Sequence, residues 1–169
     1  GNFSDSAVGA VTCRNVPRPD AHLLTKLFSA NDPGYSEGRR EVRLEDVEGY
    51  EEMSAHERRL LYNFNDVAAA YRRAVWERHP FPRTPFGEDV LMARALLEAG
   101  YTVVYDDEAT VEHSHDYSPE EHRARGAIDA RFNAEWLDRV CVSTRSDARE
   151  LTKRQLVIDA AEIGSAGYE

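Results

Sequence analysis

Phe86-Gly87-Glu88-Asp89-Val90-Leu91-Met92-Ala93-Arg94-Ala95-Leu96-Leu97-Glu98-Ala99-Gly100-Tyr101-Thr102-Val103-Val104-Tyr105 joins two elements with no linker between them. Val90, Leu91, Ala93, Leu96 and Leu97 recur at helical spacing, so residues 87–99 predict a helix with one broad buried face. Gly87 opens it and Gly100 stops it. Residues 101–105 are aromatic and β-branched and read as a strand that starts at once. A helix feeding directly into a strand indicates an α/β chain.

The elements on either side fit that class. Asp106-Asp107-Glu108 predicts a turn, and residues 109–113 alternate like a second short strand. Ser118-Pro119-Glu120-Glu121 is a helix start, with a capping serine, a first-turn proline and acids at the positive end of the dipole. That helix is expected to reach Leu137 or beyond. Upstream, residues 71–79 read as helical, with Arg72 and Arg73 outward and Val75 and Trp76 inward, until Pro80, Pro82 and Pro85 end the run. Ser54 and Glu57 form a capping-box pattern for a short helix. Residues 34–53 are charged and carry three glycines, which predicts a long loop. Asp20 can cap a helix carrying Leu23, Leu24, Leu27 and Phe28 that ends near Asn31. Residues 7–13 read as a buried strand halted by Pro17 and Pro19.

The chain has 169 residues, 41% of them apolar and 9% aromatic, enough for one modest core. Its formal charge is -10, from 31 acidic and 21 basic residues, a balance that repels phosphate backbones and argues against nucleic acid as a partner. Cys13 and Cys141 stand far apart, which indicates neither a disulfide framework nor a thiolate zinc site and fits a cytoplasmic location. No apolar run approaches the roughly 20 residues that span a bilayer. The first residue is Gly1 and a strand follows almost immediately, so a preceding segment is expected.

Residues 1–141 are expected to form the main unit and residues 142–169 a tail with an amphipathic helix over 148–163. The last six residues are expected to fray.

Three features carry chemistry: the Glu88-Asp89 pair in a helix first turn, the strand that follows, and His113-Ser114-His115 at the end of a further strand. Together they bring a carboxylate and an imidazole to one edge of a sheet. A carboxylate at a helix N-terminus is held ionised, and acts as a base only if its pocket raises its pKa or the reaction acidifies the donor. Neutral histidine is the commonest nitrogen ligand of divalent ions, and alternate histidines share one strand face. Acids at helix starts are also ordinary caps, and a strand-end histidine pair is often surface polarity. Spacing by itself leaves the function undecided.

The series Asn65-Asp66-Val67-Ala68-Ala69-Ala70-Tyr71-Arg72-Arg73-Ala74-Val75-Trp76, Pro80-Phe81-Pro82, Phe86-Gly87-Glu88-Asp89-Val90, Gly100-Tyr101-Thr102-Val103-Val104-Tyr105 and Ala109-Thr110-Val111-Glu112-His113-Ser114-His115-Asp116-Tyr117 resembles bacterial family 2 glycosyltransferases. The match spans residues 8–136, and is closest to members that build surface polysaccharides with deoxysugars such as rhamnose. The resemblance implies a partial GT-A (Rossmann-like) fold, a small mixed sheet flanked by helices, without the N-terminal nucleotide-binding half and its Asp-x-Asp motif. It implies Asp89 as the base that takes a proton from an acceptor hydroxyl, with inversion, and Glu88 as its partner. It implies His113 as a ligand of Mg or Mn, bound weakly or not at all by this chain alone. Asn65, Asp66, Arg72, His115 and Tyr117 are the implied substrate-binding residues.

The implied partners are a nucleotide-sugar donor and a carbohydrate or lipid-linked acceptor, at the inner face of the membrane. This chain alone is expected to transfer no sugar, and to self-associate through an exposed sheet edge. Two other classes compete: a non-catalytic interaction module using the acidic 34–53 segment or the tail helix, and a metal hydrolase built on His113, His115 and Asp116. Loss of transfer on substituting Asp89 separates the first from an enzyme, and a tight zinc site in this chain would mark the second.

Overall fold

The computed structural model describes residues 1–30, 32–140 and 142–165. The expectations placed on Asn31, Cys141 and residues 166–169 lie outside the described residues. In chain order the elements are β1 (Val8–Val16), α1 (Leu23–Ala30), β2 (Arg40–Val42), α2 (Ala55–Leu61), β3 (Ala69–Tyr71), α3 (Arg73–Trp76), α4 (Glu88–Glu98), β4 (Thr102–Glu112), α5 (Pro119–Trp136) and α6 (Arg145–Ser165). The fold is α/β, as expected, with a small mixed four-stranded sheet in the order β2-β4-β1-β3 flanked by helices.

β1 and β4 run parallel at the centre, from Val8 opposite Thr102 to Val16 opposite Glu112. β2 and β3 are antiparallel edges of three residues each, pairing with Val103–Tyr105 and Ala10–Thr12. Neither edge strand was expected: residues 34–53 read as loop, and Tyr71, read as the start of a helix over 71–79, instead ends β3. Three residues are too few to show alternation, and only pairing to the centre makes them strands. Residues 101–113 were expected as two strands around a turn. They form one strand, in which Asp107, Glu108 and Ala109 bulge out between the Cys13–Asp106 and Arg14–Thr110 pairs.

The αβ unit behaves as read. Val90, Leu91, Met92, Ala93, Leu96 and Leu97 of α4 are buried against β1 and β4, and join Ala10, Val103, Tyr62, Phe64, Val75 and Phe132 in the main core. Met92 and Leu96 are fully enclosed. Burial of such a side chain contributes roughly 1.5–3 kcal/mol, so α4 anchors the domain. Ser54 and Ser118 make the expected capping boxes with Glu57 and Glu121. Trp76 corrects the sequence reading: it is 43% exposed, not inward, because α3 stops after one turn and leaves Val75 alone to enter the core. No helix among the described residues is long and apolar enough to cross a membrane.

Candidate functional site

Parallel β1 and β4 end on the same side of the sheet, where an α/β fold gathers ligands. His113 follows β4 directly, and its N–H donates to Val16 O at 2.9 Å, tying the two strand ends together. From the other side comes the start of α4. Gly87 holds the helix cap with φ of 72°, and a Cβ there would stand 2.3 Å from the Phe132 ring of α5. The α5 aromatic thus presses on the backbone one residue before Glu88. Only glycine permits both the left-handed φ and this approach.

Between these elements lies a cleft of about 490 Å³. Its walls include Glu88, Asp89, Asn65 and His113, so four of the sequence-predicted residues, from three separated segments, converge. Asp89 Oδ1 accepts a 2.8 Å bond from the Val90 N–H. Burial raises the Asp89 pKa, the nearby Glu88 and Asp66 carboxylates add to the rise, and the Val90 bond and Arg59 oppose it. Burial therefore outweighs the helix terminus, leaving a carboxylate with more proton affinity than an exposed aspartate. His113 shifts the opposite way: burial, then His115 and Arg18, lower its pKa and favour the neutral ring.

Asp66 stands behind this wall. Tyr71 Oη donates to its carboxylate, and burial raises its pKa. Asn65 is fixed by its backbone carbonyl, which accepts from Thr12 Oγ1 of β1 at 2.8 Å. His115 and Tyr117 line an adjoining recess of about 170 Å³ with Thr25, Phe28, Ser29 and His122. Their rings stack at 5.2 Å and 17°, and the His113 and His115 rings meet edge to face at 4.6 Å. Asp32 and Tyr35 border both spaces, so recess and cleft are neighbours.

Arg72 is placed elsewhere. Its guanidinium donates to the Val8, Phe3 and Asp5 carbonyls at 2.9, 3.0 and 2.6 Å, holding the N-terminal turn to β1. Sequence reasoning missed Asn15, Asp32, Tyr35, Arg59, Arg125 and Asp129, all of which line the cleft. Asn15 alone left a signal, a polar residue continuing an apolar strand, hidden because that strand was expected to stop at Cys13.

Two proteins of known name are similar to this chain over most of its length. The chain is similar to O-antigen chain rhamnosyltransferases. It is 34% identical over 141 residues to RfbN of Salmonella typhimurium, and 32% identical over 141 residues to WbaN of Salmonella anatum. Each alignment covers 81% of this chain and 42% of the relative, so the chain spans less than half the length of these curated relatives. No protein-family model and no solved structure matches it.

Among the described residues no group of three or more His, Cys, Asp or Glu side chains is gathered to hold a metal. Asp116, which a hydrolase would need beside His113 and His115, instead accepts from Arg18 Nη2 at 2.9 Å, the His22 N–H at 2.9 Å and Thr25 Oγ1 at 2.7 Å. Those three bonds pin the loop after β4 onto α1 and the segment that leads into it, and commit both carboxylate oxygens. Among the described residues the donor set does not fit a metal centre.

Proposed function

We propose that this chain is the acceptor-side half of an inverting glycosyltransferase of the family 2, GT-A type, acting in surface-polysaccharide synthesis. The observation that carries the reading is Asp89, a carboxylate of raised proton affinity that lines a polar cleft together with His113. In this reading Asp89 takes the proton of an acceptor hydroxyl as that oxygen attacks the anomeric carbon of a nucleotide-diphosphate sugar. The new C–O bond forms as the bond to the diphosphate breaks, with inversion. A base of this kind works best when its pKa lies close to the working pH, and burial moves Asp89 in that direction. Glu88 keeps that affinity high by charge repulsion. Burial favours the neutral ring of His113, and one of its nitrogens would face a divalent cation only if oxygen ligands from outside this chain held that ion, which would then neutralise the leaving diphosphate. His115 and Tyr117 extend the acceptor side into the neighbouring recess, where a ring edge can meet a sugar.

The names of the two relatives support sugar transfer, and rhamnose is the donor sugar the proposal favours. The test is Asp89→Asn in the polypeptide that carries this chain, assayed for transfer from a nucleotide-activated sugar. General-base removal costs about 100- to 10,000-fold in rate. Transfer within a factor of a few of the unaltered protein would remove Asp89 from the role of base, and with it the catalytic reading.

A further inference from the structure

Residues 44–52 carry five acids and no base, and residues 145–154 carry four bases and two acids, in a chain whose formal charge is -10. The first segment walls a groove of about 670 Å³ that shares no lining residue with the Asp89 cleft. Leu44, Val47 and Leu97 supply its apolar part, and the exposed Glu45, Glu51, Glu52 and Glu98 supply its charge. Arg58 also lines the groove, but its guanidinium lies over the Tyr50 ring at 4.9 Å and donates to Glu51 O at 2.6 Å. Glu45 and Glu98 are paired with Arg43 and Arg94. Among the described residues the Glu51 and Glu52 carboxylates have no ion pair and accept no hydrogen bond.

Helix α6 is the counterpart. Among the described residues, its side-chain hydrogen bonds and its ion pair all stay within residues 144–159, so none reaches the groove of its own chain. Leu151, Leu156, Val157 and Ile158 are exposed. At about 3.6 residues per turn, Arg145, Arg149, Lys153, Leu156 and Ala160 fall in one stripe, and Asp147, Glu150 and Asp159 fall outside it. Lys153 meets only Glu150, at 4.0 Å and with both side chains largely exposed, a pair that holds neither in place.

We propose that the basic stripe of α6 docks in this groove on a second copy of the chain, so that two copies exchange their α6 helices. Arg149 and Lys153 meet Glu51 and Glu52, and Leu156 is covered by Leu44 and Val47. The proposal does not depend on the glycosyl-transfer reading. Charge complementarity selects the occupant. An anionic surface would attract the stripe but be repelled by the groove, whereas a second copy satisfies both at once. A two-fold arrangement then forms the contact twice. Exposed ion pairs add little affinity, so the apolar residues hold the pair together while the charges choose the partner.

The experiment measures the mass of the full 169-residue chain by sedimentation equilibrium over a dilution series, at about 50 and about 500 mM salt. A dimer that dissociates on dilution, and does so more readily at the higher salt, is expected. Arg149→Glu with Lys153→Glu (the helix variant) and Glu51→Lys with Glu52→Lys (the groove variant) are each expected to weaken self-association at least about tenfold, since like charges then face each other. Mixing the two variants is expected to restore the dimer, because each reversed surface meets its opposite on the other copy. Circular dichroism checks each variant for folding. If the helix variant loses α6, the groove variant and the salt dependence decide, and if neither variant folds the salt and dilution series of the unaltered chain decides. A chain that stays monomeric to about 100 μM, which α6 closing on its own groove would give, overturns the proposal. So does a dimer indifferent to salt. Folded variants that associate as tightly as the unaltered chain, the result of pairing through a β2 or β3 edge, or a mixture that stays monomeric, overturn it as well.

Discussion

Gly87→Ala isolates the contact that holds the candidate base in place. At φ of 72° an alanine adopts a backbone conformation that costs about 1–2 kcal/mol. The new methyl would also stand 2.3, 2.5 and 2.7 Å from three carbons of the Phe132 ring, which is 5% exposed and has little room to retreat. Overpacking of a closed core costs typically 1–3 kcal/mol. The sum, about 2–5 kcal/mol, is expected in urea unfolding at neutral pH as a lower midpoint with unchanged slope. For a chain of this size it lowers the melting temperature by roughly 5–15 °C.

A double-mutant cycle separates the two causes. Phe132→Ala alone is expected to cost about 3–5 kcal/mol. In the Phe132→Ala background the added cost of Gly87→Ala should fall to the backbone part, about 1–2 kcal/mol. A single Gly87→Ala variant within about 0.5 kcal/mol of the parent, or a cycle that is strictly additive, would refute the claim that α5 clamps the start of α4.

Two further outcomes follow from named residues. Asp89→Asn should stabilise the chain at neutral pH, because a carboxylate whose folded pKa is raised costs folding free energy once ionised. That advantage should fade as pH falls through the folded pKa of Asp89 into the ordinary carboxylate range. Urea titrations at several pH values read it, and an advantage that stays constant with pH would contradict the burial of Asp89. Arg72→Met should destabilise by about 2–3 kcal/mol, since the three carbonyls it bonds lose a charged donor, while leaving sugar transfer by the polypeptide that carries this chain unchanged. Loss of transfer in a folded Arg72→Met protein would return Arg72 to the site.

The αβ unit at residues 86–105 was legible because its information is local. Periodicity fixes the buried face of α4, Gly100 ends it, and the β-branched run that follows has one reading. The capping boxes at Ser54 and Ser118 are local in the same sense, a side chain bonding a backbone three residues away. The convergence of Asp89, His113 and Asn65 came from motif order, which states that the residues belong together without giving a distance. Tertiary structure alone decided the rest. β2 and β3 exist only because β4 and β1 lie beside them, and Trp76 is exposed because α3 ends after one turn. Arg72 and Arg59 look alike in sequence, two arginines in polar surroundings. One is spent on carbonyls of the N-terminal turn and the other faces the cleft, since a long flexible side chain takes its partner from whatever the fold sets within reach. Asn15 shows the same limit from the other side. It is buried, and its backbone N–H donates to Gly34 O, a partner that lies outside the strand and meets it only in the folded chain.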